Sequence, residues 1–589
     1  MSSSRTKTPT TQQKKPGSAF PIILLVAAIF AALIFIGKPL YDDYSLSAEQ
    51  VDLRVYFGLT EAEDAPVILG DTRASVNAKV FDGVIYWDAS DIAKVIDERF
   101  YTNQEDGLVL FTTADEVVRA NIGDTFYTTH AEILPAEEPS QVDLGHEILR
   151  GAGGRLYLSL DFVSRYANFS YEVFDGPDRI QIYAADFDYD AASALKKTAL
   201  RVNADRKSGM LRSLARGETV YVLKPMGDWT KVRTHDALIG FVETRRLSET
   251  SGGSFEIART YEAPPYTDVV RDAPIVLGWN QLTVYDANAY LADYLEGAYP
   301  MNVISPTWYT ITDGQGGVNS IASKAYVDQA HARGLEVWPL VDDFTEGLDR
   351  HSLLARGESR SAFISFLIGQ CDELGLDGIN LDFEVVPEDD GAHFTQLLRE
   401  LSVAMRARGL VFSVDNYPPR AHTEHYNRRV QGEVADYVII MGYDEHWGSS
   451  SGAGSVASLP FVRGAIERTL AQDVPARKTI NAVPFYTRIW TTSHKDGSVS
   501  ATAVGQKTQA EWIAKRELDP IWSEELGQNY TQIDEDNTTR QVWLEDADSM
   551  RVRLEMMKSY DLAGVAAWRL GLENAAQWDE IANYINSTH

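Results

Sequence analysis

The sequence contains a single cysteine, Cys371, among 589 residues. One cysteine excludes a framework of intrachain disulfides and leaves the redox compartment open. Positive charge is also scarce, since 54 lysine and arginine residues stand against 85 acidic residues and the formal net charge is −31. A surface of this charge would repel nucleic acid and anionic lipid, whereas it would tolerate a neutral ligand such as a glycan.

One long stretch near the N-terminus, from Ala19 to Gly37, lacks charge altogether. Its length is close to the ~20 residues that span a bilayer. Lysine and arginine precede the stretch, and basic residues stay on the cytoplasmic side of a membrane. Residues 1–18 are therefore predicted to be a cytoplasmic tail and residues 19–37 a membrane anchor, with the remaining chain outside the cell. A cleaved signal peptide is the alternative, although Ile36-Gly37-Lys38 fits a cleavage site poorly.

Residues 46–195 contain two similar strand–helix–strand patterns. Val84–Asp88 opens the first pattern and Arg155–Ser159 opens the second, so that Tyr86 corresponds to Tyr157. The repeat resembles the module named after the N-terminal domain of copper amine oxidases, a name that implies no copper here. We expect an α+β module that acts as a spacer or binds the cell wall.

Residues 198–247 show short alternating strands separated by glycine, which predicts a small β-barrel. The spacing of Gly217, Trp229 and Gly240 resembles that of bacterial SH3-like domains. Trp229 is either part of a peptide groove or a core residue. Residues 248–268 are rich in glycine, serine and proline and are predicted to be a linker.

Residues 270–586 alternate predicted strands and helices, which favours a parallel sheet with helices outside it. The predicted strands are Pro274–Trp279, Asn302–Thr307, Glu336–Val341, Gly378–Phe383, Leu410–Asp415, Tyr437–Met441, Thr479–Pro484 and Gly564–Trp568. Eight such strands predict an α/β fold of the (β/α)₈, or TIM, barrel type. The polar stretch 491–545 between the last two strands is predicted to be an inserted α+β lobe.

The fourth predicted strand carries an unusual row of polar residues. By the strand period of two, one set of side chains faces the helices and the other faces the barrel lumen. The lumen set is Asn380, Asp382 and Glu384. Neighbouring acids in a low-dielectric interior cannot both ionise cheaply, so one keeps its proton and can donate it to a leaving group. Glu384 lies at the strand's C-terminal end, where barrel active sites occur, and is the candidate proton donor.

The segment from Asp377 to Glu384 resembles the DxxDxDxE signature of family 18 glycoside hydrolases, which include chitinases and related N-acetylglucosaminidases. Asn380 departs from this signature at its middle aspartate, as in the branch of bacterial spore-cortex lytic glucosaminidases. Val337–Asp343 stands in place of the family's third-strand Ser-x-Gly-Gly, which favours the same branch.

Three other strand ends resemble this family. Met441-Gly442-Tyr443-Asp444 resembles the sixth-strand M-x-Y-D, Pro484–Trp490 resembles the groove-lining seventh strand end, and Val565–Gly571 resembles the eighth strand. The candidate substrate-binding residues are Trp568, Tyr486, Trp308, Asn416 and Arg488.

The resemblance implies a retaining mechanism that needs no metal and no organic cofactor. Glu384 would protonate the glycosidic oxygen while the substrate's own 2-acetamido carbonyl attacks the anomeric carbon and forms an oxazolinium ion. Asp382 would orient the acetamido N–H, and Tyr443 would hold its carbonyl oxygen. The supporting residues would be Asp377, Asn380 and Asp444.

We therefore expect a glycosidase that cleaves β-linked N-acetylhexosamine glycan, most directly peptidoglycan, in an endo or exo manner. Its predicted partners are the cell wall and, through the N-terminal helix, the membrane, and no nucleic acid is expected. A chitin or chito-oligosaccharide hydrolase is the alternative enzyme. A glycan-binding protein with weak catalysis is the alternative of a different class, against which the presence of Glu384 argues.

Overall fold

The computed structural model of the protein describes residues 25–29, 31, 45–129 and 140–587. Most of the predicted tail and anchor lies outside these residues. Within the described part of the chain, no helix is both long enough and apolar enough to cross a membrane. The anchor at residues 19–37 therefore stays a prediction.

The C-terminal half contains a closed barrel of eight parallel strands, which confirms the predicted α/β barrel. The strands are β1 (Ile275–Asn280), β2 (Val303–Ile311), β3 (Leu340–Asp342), β4 (Gly378–Asp382), β5 (Val411–Asn416), β6 (Tyr437–Met441), β7 (Thr479–Pro484) and β8 (Gly564–Trp568). Each strand pairs in parallel with the next, and β8 pairs with β1 to close the barrel.

The third predicted strand, Glu336–Val341, is divided in the structure. Glu336–Val337 and β3 both pair with β2, and the chain between them contains Pro339. Pro339 has no N–H to donate, but its carbonyl accepts the Asn380 N–H at 3.0 Å, so the chain stays beside β4 through the interruption.

The described barrel region contains nine α-helices outside the inserted lobe. They are Leu291–Tyr294, Lys324–His331, Arg350–Ala355, Gly357–Leu374, Gly391–Arg406, Arg428–Val434, Leu459–Leu470, Ala547–Lys558 and Ala575–Ser587. Asp349 accepts the Ser352 N–H at 3.0 Å at one helix start, and Gly375 ends another helix in the left-handed conformation with φ 68°. The barrel has two clusters of buried apolar side chains. One cluster lies between the strands and the helices, and the other lies inside the barrel.

A lobe of strands and one helix lies between β7 and the helix that precedes β8. Its antiparallel sheet has the spatial order Val499–Gly505, Tyr486–Ser493, Thr538–Trp543, Gln528–Glu535 and Ile521–Ser523. The helix Gln506–Lys515 follows the first of these strands in that order. The first residues of the strand Tyr486–Ser493 come directly after β7, so this lobe extends from the barrel's C-terminal end.

The described residues form two compact units, the first made of those up to residue 85 together with 168–259 and the second of those in 86–167 together with 260–587. In the second unit, five antiparallel strands have the order Ser140–Asp143, Phe126–Thr129, Val117–Asn121, Leu108–Thr112 and Phe100–Asn103. The same segment contains the strands Leu149–Ala152 and Arg155–Ser159 and the helices Ala89–Val95 and Leu160–Val163. Tyr101, Leu108 and Val117 pack against Val403 of the barrel helix Gly391–Arg406.

The first unit contains a seven-stranded antiparallel sheet. Its strands are Phe187–Ser193, Thr198–Arg201, Met210–Leu214, Thr219–Met226, Trp229–Thr234, Ile239–Glu243 and Ser251–Phe255. Smaller elements of this unit are the helix Leu53–Tyr56 and the strands Asp64–Ala65, Val67–Leu69, Thr72–Arg73, Ala78–Phe81, Ser170–Phe174 and Arg179–Tyr183. A Cβ at Gly240 would lie 2.6 Å from the Arg201 carbonyl oxygen, so this strand crossing requires glycine. The SH3-like nature of residues 198–247 stays a prediction.

Candidate active site

The polar row on β4 faces the barrel lumen, as the alternation predicts. Asn380 is completely buried and is the centre of a hydrogen-bond network. Its Oδ1 accepts the Trp279 Nε1–H at 2.8 Å, and its Nδ2 donates to Asp415 Oδ1 at 2.8 Å and to Ser413 Oγ at 3.1 Å. The amide therefore joins β1, β4 and β5 across the lumen, and its donor group allows it to approach a carboxylate without repulsion.

Asp382 and Asp415 form a pair of buried acids on neighbouring strands. Burial, and next the charge of Asp415, raise the pKa of Asp382 well above its usual range. Burial likewise raises the pKa of Asp415, although the hydrogen bond from Asn380 opposes this rise. Asp382 Oδ1 is buried without a hydrogen-bond partner among the described residues. Two acids in this arrangement cannot both ionise cheaply, so at least one holds a proton at neutral pH.

Glu384 lies just beyond the end of β4, at the wall of a cavity. Burial, and then the charges of Asp343 and Asp444, raise the pKa of Glu384 to about 7. Its backbone N–H donates to Asp343 Oδ1 at 3.1 Å, and the Tyr417 hydroxyl donates to its Oε2. A carboxyl group with a pKa near neutrality is suited to general acid catalysis, since it holds a proton and can release it.

The residues at the ends of β6 and β7 form a second polar group at the cavity. The Tyr486 hydroxyl donates to Asp444 Oδ1 at 2.7 Å, and Arg488 Nη2 lies 3.0 Å from the same oxygen. Tyr443 packs against both apolar clusters, and burial raises the pKa of its hydroxyl well above the usual range. Tyr443 is thus a neutral donor at physiological pH, and Asp444 is held by two partners.

The cavity has a volume of about 600 Å³ and opens at the C-terminal end of the barrel. The residues that line it include Glu384, Tyr417, Arg420, Tyr443, Asp444, Trp447 and Arg488. Trp568, at the end of β8, is half-buried with its ring 5.9 Å from that of Trp279. Glu384, Tyr443, Asp444 and Arg488 are therefore brought together as the sequence predicts.

Three sequence candidates lie elsewhere. Asp377 precedes β4 and accepts hydrogen bonds from the Val337 N–H and from His331, so it lies at the opposite end of the barrel and cannot support Asp382. Trp308 is 1% exposed and donates to Asn288 in the core. Asn416 pairs with Gln431 of the surrounding helix layer, because it occupies the outward position that follows inward Asp415.

Sequence reasoning missed Asp415, Tyr417, Arg420 and Trp447. A signal for Asp415 was present, because Ser413 and Asp415 alternate with apolar residues on β5 as Asn380 and Asp382 do on β4. The other three lie on loops, where no period exists to indicate which way a side chain points.

The described residues include one group that offers metal-ligand atoms, namely His351, Asp390 and His393, with these atoms within 4.8 Å of one another. His351 Nδ1 lies 2.6 Å from Asp390 Oδ1, and the Tyr101 hydroxyl lies 2.6 Å from His393 Nδ1. His351 is thus paired with Asp390 and His393 with Tyr101, and the three residues are not among those that line the cavity. They take no part in the site around Glu384, and the expectation of a metal-free mechanism stays a prediction.

Residues 343–573, which include most of the barrel, match the family described as glycosyl hydrolases family 18. The chain is 30% identical over 230 residues to a Bacillus subtilis protein named as a sporulation-specific glycosylase. The aligned segment covers 38% of this chain and 53% of the relative. It is also 30% identical over 221 residues to a cortical fragment-lytic enzyme of Bacillus subtilis, covering 36% of this chain and 50% of the relative.

The chain thus spans about half the length of these curated relatives. Among solved structures, a chitinase from Chromobacterium violaceum is similar with a TM-score of 0.48 and 23% identity, covering 53% of this chain and 99% of that chain.

Proposed function

We propose that this protein hydrolyses a β-linked N-acetylhexosamine glycan, with peptidoglycan as the substrate and N-acetylglucosaminidase as the activity. The observation that carries the proposal is Glu384, a carboxyl group with a pKa of about 7 in the wall of a cavity at the C-terminal end of the barrel. Asp444, Tyr417 and Tyr443 line the same cavity. This is the arrangement that general acid catalysis of glycoside cleavage requires.

The nucleophile is the 2-acetamido group of the substrate. A retaining glycosidase with an enzymic nucleophile needs a second ionised carboxylate across the cleaved bond from the acid. Asp444 is the nearest candidate, but it already accepts from Tyr486 and pairs with Arg488. Asp382 is the last residue of β4, lies on the same strand face as Glu384 and has a raised pKa. Its unpartnered Oδ1 is instead suited to accept the acetamido N–H, while Tyr443 donates to the acetamido oxygen.

Two observations favour peptidoglycan over chitin as the proposed substrate, namely Asn380 and the names of the relatives. Asn380 occupies the position at which the family signature has aspartate, and two relatives at 30% identity are named for sporulation and cortex lysis. A chitin or chito-oligosaccharide hydrolase is the second candidate, since the family domain is shared with chitinases. Membrane anchoring through residues 19–37 would keep the barrel at the outer cell surface, where cell-wall glycan is found.

One digestion separates these substrates. The protein is incubated with purified peptidoglycan and with chitin, and the masses of the products are determined. We expect peptidoglycan fragments with N-acetylglucosamine at the reducing end, and their lengths distinguish endo from exo cleavage. The Glu384→Gln variant is the control for contaminating hydrolases.

Substrate assistance has its own test. A thiazoline mimic of the oxazolinium ion should inhibit competitively, because it resembles the charge and shape near the transition state. Glycans whose C2 amine is free should bind but hardly react. Rapid cleavage of a de-acetylated glycan, or trapping of a 2-fluoro sugar on Asp444, would show that an enzymic nucleophile acts.

A further inference from the structure

The cavity contains positive charge that the acid catalyst does not explain. Arg488 and Arg420 both line it, although the whole chain has a net charge of −31. The Arg488 charge is matched by Asp444 at 3.0 Å. Among the described residues, Arg420 forms no ion pair with a carboxylate, and its side chain is exposed at the cavity rim. Arg420 is therefore an unmatched cation in a predominantly acidic molecule.

The loop that carries Arg420 is held in place by its backbone. Two consecutive prolines, Pro418 and Pro419, restrict its conformation. The Pro419 carbonyl accepts from Arg468 at 2.9 Å, and the Arg420 N–H and carbonyl both bond to Thr423 Oγ at 3.2 and 3.0 Å. The guanidinium thus projects from a fixed point, which reduces the entropy that binding would cost.

The position of Arg420 relative to the acid indicates what it meets. Asp382 and Tyr443, which are suited to the acetamido group, lie towards the barrel lumen. Tyr417 donates a hydrogen bond to Glu384, and the exposed Arg420 and Trp447 line the cavity from the loops after β5 and β6, nearer the solvent. Since Glu384 gives its proton to the leaving oxygen, the sugar on this outer side is the leaving sugar.

The two candidate glycans differ in the substituent at O3 of the leaving sugar. The leaving sugar of chitin is an N-acetylglucosamine with a neutral hydroxyl at O3. The leaving sugar of an N-acetylglucosaminidase acting on peptidoglycan is a muramyl residue, whose O3 carries a lactyl group that ends in a carboxylate or in a peptide with carboxylates of its own. An acidic protein would repel such a ligand at long range unless a local cation received it.

We propose that Arg420 binds a carboxylate borne by the lactyl substituent of a muramyl sugar on the leaving-group side of the cleaved bond. The inference rests on the proposed glycosidase function and names the feature that selects its substrate. Arginine suits this role because its planar guanidinium offers paired donors that match a carboxylate. Trp447, whose Nε1 donates to Ser449 Oγ at 2.6 Å, provides an aromatic surface beside the same sugar.

The test measures binding, in the Glu384→Gln background so that the glycan stays intact. Calorimetry compares a peptide-free peptidoglycan oligosaccharide, its lactyl methyl ester, a form with alanine on the lactyl group, and a chito-oligosaccharide of equal length. We expect the free acid to bind about 10- to 100-fold more tightly than the ester, the effect of one charge-assisted hydrogen bond. Comparison of the lactyl acid with the alanyl form identifies which carboxylate Arg420 receives.

Variants assign the preference to Arg420. Arg420→Gln should abolish the difference between acid and ester, and Arg420→Lys should keep part of it. Arg333→Gln is the matched control, because it removes the same charge from an exposed residue after the helix Lys324–His331. The proposal would be overturned if the Glu384→Gln protein bound acid and ester with equal affinity. It would also be overturned if adding Arg420→Gln left the difference in affinity between acid and ester unchanged.

Turnover by the wild-type protein keeps the two proposals separate. If the muramyl and chito-oligosaccharides are cleaved but acid and ester bind equally, the carboxylate site is wrong and the glycosidase stands. If the acid is preferred through Arg420 but no glycan is cleaved, the carboxylate site stands and the proposed hydrolysis fails.

Discussion

Replacement of Glu384 by glutamine should strongly lower turnover and at the same time stabilise the protein in alkaline solution. The folded protein holds the pKa of Glu384 at about 7, whereas the ordinary value is 4.5. A carboxyl group with a raised pKa in the folded state favours folding while it is protonated and loses that advantage as the pH rises through 7. Glutamine has nearly the same shape, can accept the Tyr417 hydrogen bond and never ionises.

The magnitude follows from the size of the pKa rise. At about 1.4 kcal/mol for each tenfold change in the protonation equilibrium, the rise corresponds to an upper value of about 3 kcal/mol above pH 8. Because Glu384 is partly exposed to the cavity, solvent screening reduces this to about 2 kcal/mol. The variant should therefore exceed the wild type in free energy of unfolding by about 2 kcal/mol at pH 8, and the difference should vanish near pH 4.5.

The assay is urea denaturation followed by tryptophan fluorescence at a series of pH values. Turnover of an unactivated glycan, measured in parallel, should fall by roughly 10²- to 10⁴-fold, the usual contribution of general acid catalysis. Asp389→Asn, an exposed acid on the segment that follows β4, is the matched control and should show no comparable gain at pH 8. A Glu384→Gln protein with wild-type stability across this pH range would refute the raised pKa, and one with normal turnover would refute the assignment of the acid.

Three further substitutions test other parts of the site. Asp415→Asn should raise the free energy of unfolding at neutral pH, because it removes one of two adjacent buried acids with raised pKa. This gain in stability should disappear in acid, which denaturation at a series of pH values measures. A variant with no gain at neutral pH would contradict the pairing of Asp415 with Asp382. Tyr443→Phe should lower kcat by about 10²- to 10³-fold with little change in KM, as for loss of a transition-state hydrogen-bond donor, and a rise in KM alone would indicate simple substrate binding. Asp377→Asn should keep turnover within about 3-fold of the wild-type value, because Asp377 lies five residues from Asp382 along an extended strand, a distance of roughly 16 Å. A large loss of activity would show that the two ends of β4 are coupled.

Local patterns were sufficient for the barrel and for the acid. Alternation along β4 separates Ile379 and Leu381 from Asn380 and Asp382, and the structure places these pairs on opposite faces as expected. The same rule, applied to β5, assigns Asp415 to the lumen and Asn416 to the helix layer. The third strand was predicted to be continuous, whereas the observed strand is interrupted between Val337 and Leu340.

The packing of residues 86–167 could not be read from the sequence. The helix Gly391–Arg406 buries Gln396, Arg399 and Glu400 together with its apolar face. Taken alone, these polar residues indicate a solvent-exposed face. In the folded protein Gln396 Nε2 donates to Thr112 Oγ1 at 2.9 Å, and Glu400 pairs with Arg360 at 2.9 Å, so partners more than two hundred residues away or on another helix satisfy them.

The sequence by itself determined which residues share a face of each strand, and through Glu384 it determined the chemistry that the barrel can perform. This information is local, because a strand alternates with a period of two wherever it lies. Only the tertiary structure decided which strand ends meet. Closure of the barrel brings Asp415 of β5 to the Asn380 amide of β4 and brings Asp444 and Arg488 to the cavity that Glu384 lines, while Asp377 lies at the far end. Strand pairing across the barrel depends on the packing of all eight strands together, and no short segment of sequence contains it.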